Sequence, residues 1–150
     1  MSRIKTLISN DLDIEDAINF TADDKHGAAA SFIGYIRNHN EGQAVDGLTY
    51  DVHEALAINI FEQMAKEAQE RWGKDLKIYI AHANGYQPIG GIAVVVMVSS
   101  AHRAESLQAC AWIIEEIKHK APVWKKEAYI SGSQQWTKGH SLRPRMTDDK

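Results

Sequence analysis

The sequence predicts an α+β domain built on an antiparallel or mixed sheet. Three observations predict it. Short segments with period-two alternation are interleaved with two long stretches whose apolar residues recur at helical spacing. Several strand segments are joined by hairpin-type connections, where a doubly wound parallel sheet would need a helix at each crossover. A chain of 150 residues with 44% hydrophobic and 25% charged residues can bury a core as one domain, without staples.

The elements follow in order. Ile4 to Ile8 reads as a short strand. Asp11 or Asp13 can cap a short helix through about Phe20, because a carboxylate there accepts from free backbone N–H groups. Ala28 to Arg37 is a strand with Phe32, Gly34 and Ile36 on one face, and Asn38 to Gly42 breaks it. Leu48, Tyr50 and Val52 alternate as the next strand. A helix from Glu54 to Trp72 is expected to bury Leu56, Ile60, Met64 and Ala68, and Gly73 can stop it. Leu76, Ile78 and Ile80 alternate, and Asn84 to Pro88 has the composition of a turn. The β-branched run Ile92 to Val98 suits a central strand covered on both faces. A second helix spans Arg103 to Lys120, with Leu107, Cys110, Ala111, Ile114 and Ile117 as its expected buried stripe, and Pro122 prevents its continuation. Trp124 to Ile130 and Gln135 to Thr137 read as a closing hairpin around Ser131 to Ser133. Residues 1–140 are expected to form the domain, and 141–150 a polar tail, disordered when free.

Bulk properties narrow the function classes. A net charge of -3 argues against a general nucleic-acid binder. The single Cys110 excludes an intrachain disulfide and points to a reducing compartment. Met1 to Lys5 lacks the apolar run of a secretion signal, and Ile92 to Val98 is too short to span a bilayer, so the expectation is a cytoplasmic protein without a membrane partner.

Three segments combine residues suited to chemistry. Ser99 to Arg103 lies where a buried strand turns into a helix. Free N–H groups, the positive end of the dipole, His102 and Arg103 together suit a phosphate or carboxylate. A helix cap by Ser100 with two solvated cations fits the same pattern. Lys118 to Lys126 crowds four lysines and His119 at a helix end. The dipole alone favours cations there, whereas convergence of Lys118 and Lys125 on one pocket would fit them for proton transfer or nucleophilic work. In Phe32 to Asn40, Arg37 at a strand end before a polar loop is a candidate ligand clamp. Gly34 allows either close backbone approach or a bulge. His26, His53 and His82 show no metal-ligand spacing, Cys110 lies on an apolar helix face, and Gly85 to Gly91 lacks the phosphate-loop spacing, so no metal and no resident cofactor is expected.

Taken together, Phe32-Ile33-Gly34-x-Ile36-Arg37-Asn38-His39-Asn40, Ser100-Ala101-His102-Arg103 and Lys118-x-x-Ala121-Pro122-x-Trp124-Lys125-Lys126-Glu127 resemble the molybdopterin synthase large-subunit family in order, spacing and residue type. The resemblance runs from about Ile4 to Trp136. It implies an α/β hammerhead with two main helices and a smaller β subdomain. It implies sulfur transfer to cyclic pyranopterin monophosphate from the C-terminal Gly-Gly thiocarboxylate of a small ubiquitin-like partner. It also implies a dimer of large subunits within a heterotetramer. Residue by residue, Lys118 and Lys125 fall on the family's active-site lysines. Arg37, His102 and Arg103 fall on its pocket for the anionic substrate, and Phe32 on a pocket wall.

Two departures stand out. Gly90-Gly91 occupies a turn where the family often carries an acidic residue. Thr137 to His140 lacks the arginine that the family supplies across the dimer, which leaves Lys138 and His140 as its candidate substitutes. Two other functions use the same residues: a non-catalytic phosphometabolite-binding module, and a scaffold for a ubiquitin-like protein.

Overall fold

The computed structural model describes residues 2–40, 42–129 and 136–138, with the backbone alone for residues 39, 40, 43, 45, 127–129 and 136–138. Its strands are β1 (Ile4–Ser9), β2 (Ala28–Tyr35), β3 (His39–Asn40), β4 (Gln43–Val52), β5 (Lys77–Ala83), β6 (Gly85–Pro88), β7 (Ile92–Ser100), β8 (Val123–Tyr129) and β9 (Trp136–Lys138). The helices are α1 (Ile14–Thr21), α2 (Glu54–Trp72) and α3 (Arg103–Lys120). The first sheet has the order β1-β5-β7-β2, and the second β3-β4-β8-β9 with β6 on β4. The β1–β5 pair is parallel, and β5–β7 and β2–β7 are antiparallel, so the first sheet is mixed. Among the described residues every pair in the second sheet is antiparallel. The expected α+β class with two main helices and a smaller β unit is the fold observed.

The β-branched run forms the centre of the first sheet because both of its faces are covered. Ser99 donates to the Thr21 carbonyl of α1 at 2.7 Å, and its neighbour Ser100 accepts from the Ser106 N–H of α3 at 3.0 Å. Adjacent strand residues point to opposite faces, so α1 lies on one side and α3 on the other. Val95, Val96 and Val98 are fully buried between them. α2 packs beside α3 on the same side. Asp13 caps α1 through the Glu15 N–H at 3.0 Å, and Gly73 ends α2 with φ at 137°, a conformation open chiefly to glycine.

Two expectations need correction. The helix stripes are rotated: α2 buries Ala57, Phe61, Met64, Ala65 and Ala68, and α3 buries Ser106, Ala109, Cys110, Ile113 and Ile117, leaving Leu56 and Leu107 exposed. Small side chains on these faces let the helices approach the sheet closely, while the larger aliphatics sit at the margins. The expected turn at Asn84 to Pro88 is strand β6, paired with β4 from Gly47 to Tyr50. Its Pro88 sits at the strand end, where a missing N–H costs no ladder bond. Asn84 alone separates β5 from β6, so the chain passes from one sheet to the other in a single residue. The expected loop Ser131 to Ser133 lies outside the described residues, but β8 and β9 do pair as a hairpin.

Candidate active site

Phe32 lies in β2, and Arg37 just past its end; Lys118 is carried by α3 and Lys125 by β8 of the second sheet. Arg37 follows Ile36, whose N–H donates to the Gly91 carbonyl and whose carbonyl accepts from Gly90, both at 2.8 Å. This pair of bonds ties the exit of β2 to the start of β7, and Gly90 allows it by adopting φ +82°. Arg37 itself is exposed. Phe32, opposite Val96 in the ladder, packs half-buried on the core. Gly34 fits the bulge reading, and what crowds it is a side chain, with no backbone atom among its three nearest neighbours. The register shifts between Gly34 and Tyr35, and a Cβ at Gly34 would lie 2.7 Å from Val94 Cγ1.

Lys118 reaches the same end by helix geometry. α3 starts against Ser100, and its Cys110 Sγ lies 3.9 Å from the Val96 carbonyl, so it runs back along β7. Lys118 is eight residues further on, about 12 Å at the helical rise. Ile92 is four residues before Val96, about 13 Å of strand. Lys118 therefore overlies the Ile92 end, half-buried in the last turn of α3. His119 and Lys120 have local partners in Glu115 at 4.0 Å and Glu116 at 2.6 Å, and the Glu116 hydrogen bond raises the Lys120 pKa. Favourable helix-end electrostatics accounts for Lys120.

Lys125 comes to this end through the second sheet. It is 2% exposed, directly opposite Tyr50 of β4. The Tyr50 ring meets the His82 ring edge-on at 4.9 Å, and His82 pairs with Val94, opposite Gly34. Burying a lysine is costly in free energy, so such a position signals a built site more than a solvated face.

The structure does not bring His102 and Arg103 to this end of the same chain. Both are exposed at the start of α3, beyond Ser100, which pairs with Ala28 at the opposite end of β2. Ala28 to Tyr35 is seven steps, roughly 23 Å of strand. His102 makes no side-chain cap bond, and Ser100 satisfies the helix N–H of Ser106 instead. Lys138 pairs with Trp124 by backbone, one residue from Lys125, and its side chain lies outside the described residues, as does all of His140.

His26, His53 and Cys110 have structural roles. His26 Nδ1 lies 2.7 Å from Ser99 Oγ and its Nε2 3.4 Å from Asp75. His53 accepts the Leu56 N–H at the start of α2. Burial pushes the Cys110 thiol up to about 11. Sequence reasoning missed Tyr50 as the ladder partner of Lys125, and His82 as the neighbour of Tyr50. The alternation of Leu48, Tyr50 and Val52 put Tyr50 on the inner face, but the strand opposite it could not be read from that pattern.

A buried lysine, a second lysine at a helix end and an arginine at a strand exit are side chains suited to group transfer on an anionic substrate. The comparisons name the class more closely. A family model described as MoaE protein matches residues 7–120. The molybdopterin synthase catalytic subunit of Synechococcus elongatus is 39% identical over 126 residues, covering 84% of this chain and 76% of that protein. The corresponding subunit of Dictyostelium discoideum is 38% identical over 141 residues, covering 93% and 89%. The crystal structure of molybdopterin synthase from Staphylococcus aureus superposes with a TM-score of 0.82 at 30% identity, covering 91% of this chain and 98% of that one. The chain belongs to the MoaE family, that of the molybdopterin synthase catalytic subunits.

Proposed function

We propose that this chain passes sulfur from the thiocarboxylate of a small ubiquitin-like carrier subunit to cyclic pyranopterin monophosphate, forming the dithiolene of molybdopterin. The observation that carries this reading is the convergence of Lys118, Lys125 and Arg37 on one end of the first sheet, in a chain matched to the family over residues 7–120. Arg37 holds the substrate's anionic group, since a guanidinium binds phosphate bidentately at fixed charge. Lys118 lies nearest the thiocarboxylate carbonyl and stabilises the oxyanion that develops there. Once the carrier's sulfur has bonded to a substrate carbon, water attacks the carbonyl, the carrier's own C–S bond breaks, and the carrier ends as a carboxylate; Lys125 moves the water's proton. Phe32 forms a wall of the pocket.

His102 and Arg103 enter from a second copy. Their separation from Arg37 along one ladder supports this. A two-fold axis that sets one copy's Ala28 end beside the other's Tyr35 end supplies the missing cations. Lys138 and His140 are the further candidates for the cross-dimer contact. Among the described residues no helix is long and apolar enough to cross a membrane. We place the reaction in the cytoplasm, where the lone Cys110 stays reduced. The test is reconstitution with the thiocarboxylated carrier and cyclic pyranopterin monophosphate, following molybdopterin as its oxidised fluorescent product. Product is expected. Carrier binding without product would leave a scaffold, and binding of the phosphorylated compound alone would leave a metabolite-binding module.

A further inference from the structure

We propose that Tyr50, braced by His82, is a positioning residue for Lys125. The inference rests on the reading of Lys125 as a site lysine and adds two residues that the family motifs do not contain.

Tyr50 and Lys125 are direct partners in the antiparallel β4–β8 ladder. Residues directly opposed in such a ladder share a face, with Cβ atoms about 5 Å apart. Both are buried, at 4% and 2% exposure, so that face is the inner one. The aliphatic stem of Lys125 is thus within reach of the Tyr50 ring, and in this proposal the ring helps set the direction of the ammonium. The ring is itself fixed from the other sheet. His82 meets it edge-on at 4.9 Å with an interplanar angle of 84°, a favoured aromatic geometry. His82 cannot swing, because its Nδ1–H donates to the Ala83 carbonyl at 2.8 Å and it is 7% exposed. Burial holds it neutral, with its pKa lowered to about 4, so at working pH it braces the ring without adding charge beside the lysine.

This arrangement places a rigid element of the first sheet behind a lysine of the second. The two sheets meet through the single-residue link at Asn84, two residues after His82. Site geometry supported by a packed shell is what keeps a reacting group within the narrow limits that catalysis tolerates, and a displacement of about 1 Å can cost about a hundredfold.

The test uses the reconstituted complex and two readouts. One is kcat and KM for the carrier. The other is the rate at which an amine-acetylating reagent modifies Lys125 in the free subunit, read by mass spectrometry and independent of turnover. For Tyr50→Leu we expect kcat to fall about tenfold or more, KM to stay within about twofold, and Lys125 to be acetylated about tenfold faster. Tyr50→Phe keeps the ring and retains most of both values. In a Lys125→Ala background, Tyr50→Leu adds no further loss of kcat, because the two residues act as a unit. Val98→Ala, at the far end of β7, controls for general loss of stability. Unchanged acetylation and kcat in folded Tyr50→Leu overturn the proposal. If that variant does not fold, His82→Leu carries the same test with an expected change of about threefold, and no change there overturns it. Faster acetylation in a protein whose turnover ignores Lys125→Ala supports the positioning and overturns the role given to the lysine.

Discussion

The two ends of the first sheet use polar residues for different purposes. At the Ala28 end they bind one another. His26 contacts Ser99, Ser99 bonds to the Thr21 carbonyl, and Arg3 pairs with Asp23 at 2.8 Å. At the Tyr35 end, Arg37 is exposed, Lys118 is half-buried, and Lys125 is held inside the protein against an aromatic ring. At the first end the interior polar groups hold α1 to the sheet, while His102 and Arg103 stay exposed beyond it; at the second, Arg37 is exposed and Lys118 half-buried. A cluster of polar side chains is thus weak evidence for a site until its hydrogen bonds are counted.

The contrast can be broken in order of effect. Lys118→Ala should lower turnover by about a thousandfold or more while carrier binding and thermal stability stay near wild type, because the lost interaction belongs to the transition state. Steady-state kinetics with a binding titration checks this. Ser99→Ala should do the opposite. It leaves the Thr21 carbonyl and the His26 ring without their shared partner, costs about 1–3 kcal/mol in urea unfolding, and leaves kcat of the folded protein unchanged. Equal effects of the two changes on kcat would erase the distinction between the ends.

Acid sharpens the comparison. His82 has a folded pKa of about 4, below its unfolded value, so between those values the unfolded state binds the extra proton. Stability from its burial is complete above about pH 6.5 and falls as pH drops toward 4, with a loss on the order of 2 kcal/mol by pH 5. Unfolding midpoints at pH 7 and pH 5 should show this, and His82→Gln should flatten the difference. Below pH 4 the depressed carboxyls of Asp16, held by Lys5, and Asp23, held by the Lys25 N–H and Arg3, add to the loss. The smallest effect is expected from Asp13→Ala, about 1 kcal/mol of stability from the lost cap and no change in turnover.

Much of this was legible in the sequence. Periodicity located both long helices, since Gly73 and Pro122 mark where each stops. It misphased their buried faces because large aliphatics dominate a pattern count, whereas Ala57, Ala65 and Ala109 are what let the helices approach closely. β6 was hidden because Asn84 to Pro88 has turn composition and gains its strand character only from pairing with β4. Lys118, Lys125 and Arg37 were singled out by motif order, and their roles rest on that resemblance. The distance between Arg37 and Arg103 was not legible, because it depends on β2 and β7 being antiparallel over their full length, a contact between residues far apart in the chain. The ladder partner of Lys125 was hidden for the same reason.

The central claim is a site assembled from two chains: Lys118 at the Tyr35 end of one, His102 and Arg103 at the Ala28 end of another. Differently tagged Lys118→Ala and Arg103→Ala subunits, each inactive alone, would be co-expressed and the mixed dimer assayed with carrier and substrate. If the ends act across the dimer, one site of the mixed dimer carries both changes and the other carries neither. The mixed dimer then recovers about half of wild-type activity. If each site belongs to a single chain, both sites stay defective, and no recovery would contradict the account.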